Sequence, residues 1–248
     1  MELSLLKQVV LIGIVVYVLL GLFLFVFQRS FIYFPSGESF DSCPHFSDEQ
    51  RVVLDTARLF VSGDSSDYLV VYHGNAGSAC DRAHLMQFSN RTLVLVEYPG
   101  YGGGDGRPSE MRFIQAVDEV VSWLDTQNPE SVVVFGESIG SSSAAYHATI
   151  SDVDRVVLVS PFKSLSKVAS KHYWWLPTSL LLREEHPVGE YVTSTSSEVV
   201  VLHGEEDRVV PSQLSEDLGD IRVVIEGAGH NDLYASLQTQ ELLRKHLQ

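Results

Sequence analysis

The chain has only two cysteines, Cys43 and Cys80, in 248 residues, and no Cys-x-x-C pair. That excludes a thiolate zinc site and a dithiol redox motif. The two thiols fit one disulfide if the domain faces an oxidising compartment, and fit two free cysteines equally well. Basic residues are also scarce, 17 Lys and Arg against 32 Asp and Glu, for a formal charge of −15. An acidic surface repels phosphate backbones and no Lys/Arg cluster interrupts it, so nucleic acid is not an expected partner. Internal repeats and low-complexity tracts are missing. With 45% hydrophobic and 20% charged residues the composition is that of a folded globular protein. The length suits one α/β domain or two small ones.

One stretch lacks charge and proline altogether. Val9 to Phe27, "VVLIGIVVYVLLGLFLFVF", runs for 19 residues. At ~1.5 Å per residue it covers about 28 Å, close to the ~30 Å hydrocarbon core of a bilayer. A cleaved signal peptide would have a shorter apolar region and a small-residue cleavage site, which "FQRSFIYFP" does not offer. The expectation is a single-pass anchor over residues 1–30, followed by a polar, turn-rich linker over 31–50. Lys7 lies before the span and Arg29 after it, with no further Lys or Arg until Arg51. Positive-inside counting narrowly favours a cytoplasmic amino terminus and an extracytoplasmic domain.

From residue 51 the chain alternates apolar runs with mixed segments. Val52–Leu54 and Leu59–Val61 read as edge strands. Leu69–His73, Leu93–Tyr98, Val132–Gly136, Val156–Ser160, Val199–His203 and Arg222–Ile225 read as strands covered on both faces, because they are Val- and Leu-rich without alternation. Helical patterns fall at Ser109–Asp125, Ile139–Ile150, Pro211–Leu218 and Leu233–Leu247. This order predicts a mostly parallel sheet with helices on both faces. Residues 161–197, with "KHYWWLPTSLLLREEHP", are too long for a simple crossover. They read as a cap inserted over the carboxyl ends of the strands.

"VVVFGESIGSSSAAYH" places Ser138 between Gly136 and Gly140, after a strand and before a helix. The bare Gly-x-Ser-x-Gly pattern is weak, but the strand–turn–helix context is what a nucleophile elbow requires. A serine hydroxyl needs a base, and the base needs an orienting acid. Asp207 in "VVVLHGEEDRVVP" and His230 in "EGAGHND" follow in the chain order Ser, Asp, His, each after a strand. Glu205, Glu206 and Asp232 are rival carboxylates. His73 and His203, each before a glycine at a strand end, read as loop supports. His45, His84, His147, His172, His186 and His246 read as surface or helix residues. Donors for an oxyanion are expected from the backbone amide of Ile139 and that of Asn75 or Ala76 in "HGNAG".

These pieces, with "FIYFPS", "EYPGYGGGDGRPSE", "SPFKSLSKVA" and "HYWWLP", resemble the membrane-anchored alpha/beta hydrolase domain-containing family of serine hydrolases, over nearly the whole chain after residue 30. The resemblance implies an alpha/beta-hydrolase fold with a short cap and a Ser138–Asp207–His230 triad. "EYPGYGGGDG" departs from the family in carrying an extra glycine and an aspartate, which touches loop shape. The expected activity is hydrolysis of a carboxylic ester or thioester through an acyl-enzyme, with no cofactor and no metal. The apolar cap residues Tyr173, Trp174 and Trp175 and the anchor point to an acyl substrate, small or lipid, presented at the membrane. A serine peptidase, or a non-catalytic interaction protein on the same fold, is the alternative.

Overall fold

The computed structural model describes residues 2–35 and 39–248. Helix α1 (Glu2–Ile32) is continuous and mostly exposed. It stops before Pro35, which disfavours helical backbone at the residue before it. Among the described residues it is the one helix long and apolar enough to cross a membrane, a test a signal sequence also passes.

Eight strands form one sheet: β1 (Arg51–Val53), β2 (Arg58–Ser62), β3 (Asp67–Tyr72), β4 (Thr92–Glu97), β5 (Ser131–Glu137), β6 (Arg155–Val159), β7 (Glu198–Gly204) and β8 (Ile221–Ile225). Their order is β1-β2-β4-β3-β5-β6-β7-β8, with β2 antiparallel to both neighbours and the rest parallel. Successive side chains of a strand point to opposite faces. Val70 and Tyr72 of β3 therefore enter one core with α2 (Glu110–Gln127) and α3 (Gly140–Ile150), while Leu69 and Val71 enter the other with α7 (Leu237–His246). Burial on both faces explains why these strands are uniformly apolar. The chain moves from β3 outward to β4, then returns past β3 to β5. The sheet thus reverses direction between β3 and β5, and open α/β sheets bind ligands at the carboxyl ends of such strands.

Between β6 and β7 lie α4 (Leu165–His172), α5 (Thr178–Leu181) and α6 (Val188–Ser194). Three segments differ from the sequence reading. Pro211–Leu218 forms only a short 3-10 turn at Ser212–Ser215, and Leu233–Leu247 divides into a 3-10 turn at Leu233–Ala235 and α7. Ala79–Phe88 is a 3-10 segment that the sequence did not announce, because "ACDRAHLMQF" carries no strong apolar stripe; Ser78 and Asp81 close it with a capping box. Within the 31–50 linker, several residues pack against the domain. Phe40 and Phe46 are buried against Phe60, with ring centroids 4.5 and 4.6 Å apart. Cys43 is disulfide-bonded to Cys80. Phe40, Cys43 and Phe46 recur every third residue, which turns three apolar groups inward from an otherwise polar stretch.

Three histidines read as surface or helix residues, His147, His186 and His246, are buried. Burial lowers the pKa of His147 to about 3, its Nδ1 facing Tyr72 Oη at 2.8 Å. Burial lowers His186 to about 4, against an opposing pull from Glu184. Both are neutral when folded and take up a proton on unfolding once the pH drops below ~6.5. The unfolded state then binds more protons, so stability is full above pH 6.5 and is lost as pH falls toward the folded values. Two such groups give a slope of about 2.7 kcal/mol per pH unit. Thermal unfolding in detergent should therefore show a lower Tm at pH 5 than at pH 7.5, and His186→Gln should roughly halve the dependence. A flat profile between these pH values would contradict the neutral buried state.

Candidate active site

Strand β5 runs directly into Ser138, whose φ of +51° lies in the left-handed region that non-glycine residues avoid. Such a residue costs on the order of 1–3 kcal/mol and persists only where its surroundings over-determine it. Here they do. A Cβ on Gly136 would lie 2.6 Å from Ala144 Cβ and 2.7 Å from Gly140 O, and one on Gly140 would lie 2.3 Å from Tyr72 O. The two glycines let β5, β3 and α3 close on one another around the turn. Ser138 N donates to Val159 O at 2.8 Å, which ties the turn to β6.

Asp207 and His230 come from the loops after β7 and β8. His230 Nδ1 and Asp207 Oδ2 are 2.7 Å apart. The other carboxylate oxygen, Oδ1, accepts from the amides of Val209 at 2.9 Å and Val210 at 2.7 Å. Burial of Asp207 raises its pKa, but hydrogen bonds from His203 and His230 outweigh that and hold it well below the usual carboxylate range. The carboxylate is therefore ionised at neutral pH and fixed in orientation. Among the rivals, Glu205 accepts from the amide of Gly227 and Asp232 from that of Gly229. They shape the loop that carries His230. His203 bonds Val210 O and Ser215 Oγ, both at 2.8 Å, and His73 bonds Gly74 O at 2.7 Å and Glu97 Oε1 at 3.0 Å, so both support loops.

The loop after β3 brings Gly74, Asn75 and Ala76 beside Ser138, and all four line one cavity with His230. The amides of Ile139, Asn75 and Ala76 have no acceptor among the described residues. The Asn75 side chain turns away toward the end of α1: its Oδ1 accepts from Phe34 N at 3.0 Å and Tyr101 Oη at 2.7 Å, and its Nδ2 donates to Ile32 O. One cluster was not read from the sequence. Glu137, the residue before Ser138, is paired twice with Arg82 at 2.8 Å and accepts from Tyr234 Oη at 3.0 Å. Burial raises its pKa, and Arg82 more than reverses this, so the acid is held as a carboxylate. It supports the floor of the site from below Gly74, where a Cβ would meet Glu137 Oε1 at 3.0 Å.

The cavity measures about 720 Å³, within the ordinary size range for small-molecule sites. Tyr173 and Trp175 line it; Trp174 does not, and is 83% exposed. Residues of α1 form part of its wall. No cluster of three or more potential metal ligands occurs among the described residues.

An eight-stranded, mostly parallel sheet with a serine on a left-handed turn after β5 defines the alpha/beta-hydrolase fold. Solved structures with this architecture include Est1E from Butyrivibrio proteoclasticus with ferulic acid bound, at a TM-score of 0.62 and 15% identity, covering 79% of this chain and 98% of that one. A monoacylglycerol lipase of Paleococcus ferrophilus aligns at a TM-score of 0.54 and 18% identity, over 76% and 98% of the two chains. No protein-family model matches. An uncharacterized protein of Mycobacterium tuberculosis is 34% identical over 256 residues, 94% of this chain and 91% of that protein. Human alpha/beta hydrolase domain-containing protein 17C is 30% identical over 203 residues, 74% of this chain and 59% of that protein. The chain belongs to the alpha/beta hydrolase family.

Proposed function

We propose that the protein is a serine hydrolase that cleaves carboxylic ester or thioester bonds of membrane-associated acyl substrates. The observation that carries this reading is that Ser138, on its strained turn, and His230, hydrogen-bonded to the buried Asp207, line one cavity. With Nδ1 committed to Asp207, the imidazole has Nε2 left to accept the Ser138 proton. Ser138 Oγ then attacks the carbonyl carbon, and the oxyanion is met by the amides of Ile139 and of Asn75 or Ala76. Each such donor is worth about 2.7–4 kcal/mol in the transition state. Collapse breaks the bond to the leaving alcohol or thiol, which takes its proton from His230. Water, deprotonated by His230, clears the acyl-enzyme and releases the acid. No step calls for a cofactor.

Helix α1 is read as an uncleaved anchor because polar contacts fasten it to the cap. Arg29 Nε donates to Glu184 Oε1 at 2.6 Å, and Tyr33 Oη to Glu184 Oε2 at 2.7 Å. A Cys43–Cys80 bond persists on an oxidising side of a membrane, which supports the extracytoplasmic placement given by charge counting.

The test is reaction of the full-length protein and Ser138→Ala with a fluorophosphonate probe, alongside p-nitrophenyl esters of increasing chain length. Labelling and turnover in the wild type, both lost in Ser138→Ala, are expected. A folded wild type that neither labels nor turns over would remove the hydrolase reading and leave a binding protein on this fold.

A further inference from the structure

The cavity at Ser138 does not end in the globular domain. Leu20, Leu24, Gln28 and Phe31 of α1 line it, opposite Leu181 and Leu182 of the cap. From Leu20 to the end of α1 at Ile32 is about 18 Å of helix. That exceeds half of the ~30 Å hydrocarbon core, so the wall matches the reach of one leaflet's acyl chains.

The cap follows α1 still further. Tyr17 Oη donates to Trp175 O at 2.8 Å, a point about 22 Å from the end of α1. Gly21 faces Leu181, whose Cδ2 would be 3.9 Å from a Cβ there. Gln28, a polar residue in an apolar helix, is buried; its Nε2 donates to Leu181 O at 3.2 Å and its Oε1 accepts from Arg183 N at 2.8 Å. Positions 17, 21, 24 and 28 make one stripe at helical spacing. The contacts therefore form a continuous seam rather than a touch at the tip. On the cap beside this seam Trp174, Leu180 and Tyr173 are 83%, 73% and 53% exposed. Large apolar side chains exposed together mark a contact surface. If α1 spans a bilayer, these residues stand at the depth of its own apolar stretch, among lipid tails.

We propose that α1 is one wall of the acyl-binding groove, and that the substrate is a long-chain acyl ester of a glycerolipid taken up from the leaflet into this groove. Its tail lies along Leu20, Leu24 and Leu181, and its carbonyl reaches Ser138 at the polar end of the groove. A compact polyol leaving group fits within the about 720 Å³ available beside one long chain, whereas a polypeptide leaving group would have to stay outside. This inference rests on the hydrolase reading above and assigns Leu20 and Leu24 as residues that set chain-length preference.

The experiment uses full-length protein in nanodiscs of a diether phosphatidylcholine, which supplies no ester of its own. Monopalmitoylglycerol in the disc is compared with soluble p-nitrophenyl acetate for the wild type, Leu24→Trp and Val18→Trp. Val18 lies on the same helix, exposed and away from the cavity. Leu24→Trp should lower the ratio of long-chain to acetate kcat/KM at least ten-fold, and Val18→Trp should leave it within two-fold. Equal ratios in all three proteins overturn the groove, as does a wild type that cleaves acetate but not monopalmitoylglycerol. A wild type that cleaves an S-palmitoylated peptide in the same discs but not the glycerolipid overturns the substrate class. Fluorophosphonate labelling separates these results from failure of the hydrolase reading, in which no ester is cleaved and no label is taken up. Independently of turnover, Ser138→Ala loaded with a diazirine-bearing monopalmitoylglycerol should crosslink at Leu20, Leu24 or Leu181; adducts spread evenly around α1 would overturn the groove.

Discussion

On the proposed triad, Asp207→Asn is expected to lower kcat by roughly four orders of magnitude while the protein stays folded. The geometry gives the reason. Asp207 Oδ1 is held by the amides of Val209 and Val210, and Oδ2 faces His230 Nδ1 at 2.7 Å. In the asparagine variant the carbonyl oxygen keeps the two backbone donors, because an amide nitrogen cannot accept from them. The amide nitrogen then occupies the Oδ2 position and donates toward His230 Nδ1. The imidazole answers with the other tautomer, its proton on Nε2, where it can no longer accept from Ser138. Substrate binding is untouched, so the loss appears in kcat and KM changes little. Some loss of Tm is expected, because the contact of Oδ2 with His203 Nε2 at 3.3 Å goes with the charge, while the Oδ1 contacts to Val209 and Val210 survive and keep the loop folded. A variant within ten-fold of wild-type kcat would mean that Asp207 does not orient the base, and Glu205, Glu206 or Asp232 would have to be tested in turn.

The second large effect is on the fold. Gly140→Ala should cost about 3 kcal/mol or more of stability, because overpacking against atoms that cannot move belongs to the most damaging class of substitution. The added Cβ would lie 2.3 Å from Tyr72 O and 2.5 Å from His73 O. Both are backbone atoms at the end of β3, the strand next to β5. Relief requires α3 to move away from the sheet, and α3 carries the turn that sets Ser138. A fall in Tm of about 6–12 °C is expected for a domain of this size, with fluorophosphonate labelling lost in the protein that remains folded. Gly227→Ala is the contrast: Gly227 sits at positive φ, +67°, as Gly140 in α3 does not, and nothing lies within 4 Å of its Cβ site. It should show only the cost of a left-handed residue, about 1 kcal/mol. Equal effects of the two substitutions would mean that collision with Tyr72 O and His73 O is not what makes Gly140 necessary.

Ser138 could be proposed from sequence because its requirements are local: a strand, two glycines within two residues, a helix. Asp207 and His230 could be proposed because each follows a strand that its own Val-rich run announces. The pairing of Asp207 with His230 is a contact across 23 residues, yet strand order alone brought both loops to one edge of the sheet. Glu137 carries no local signal, since its role depends on Arg82, 55 positions earlier, and Tyr234, 97 positions later. The packing of the linker is hidden for a similar reason. Phe40, Cys43 and Phe46 are sparse among polar residues, and their destination on Phe60 and Cys80 is invisible without the sheet. Trp174 and Trp175 are adjacent in sequence, but Trp175 lines the cavity and Trp174 is exposed.

What the sequence by itself determined is the sheet and the elbow, because hydrophobic periodicity and glycine sterics act within a few residues of the chain. The length of α1 is determined in the same way, by an uninterrupted apolar run. What only the tertiary structure decided is where α1 lies. Its seam with the cap joins Tyr17 to Trp175, Gln28 to Arg183 and Arg29 to Glu184, pairs more than 150 positions apart. No local pattern encodes such contacts. They arise because a buried amide such as Gln28 must find partners: its Nε2 reaches Phe25 O of its own helix, but its Oε1 is met by Arg183 N, which only the folded cap presents at that height.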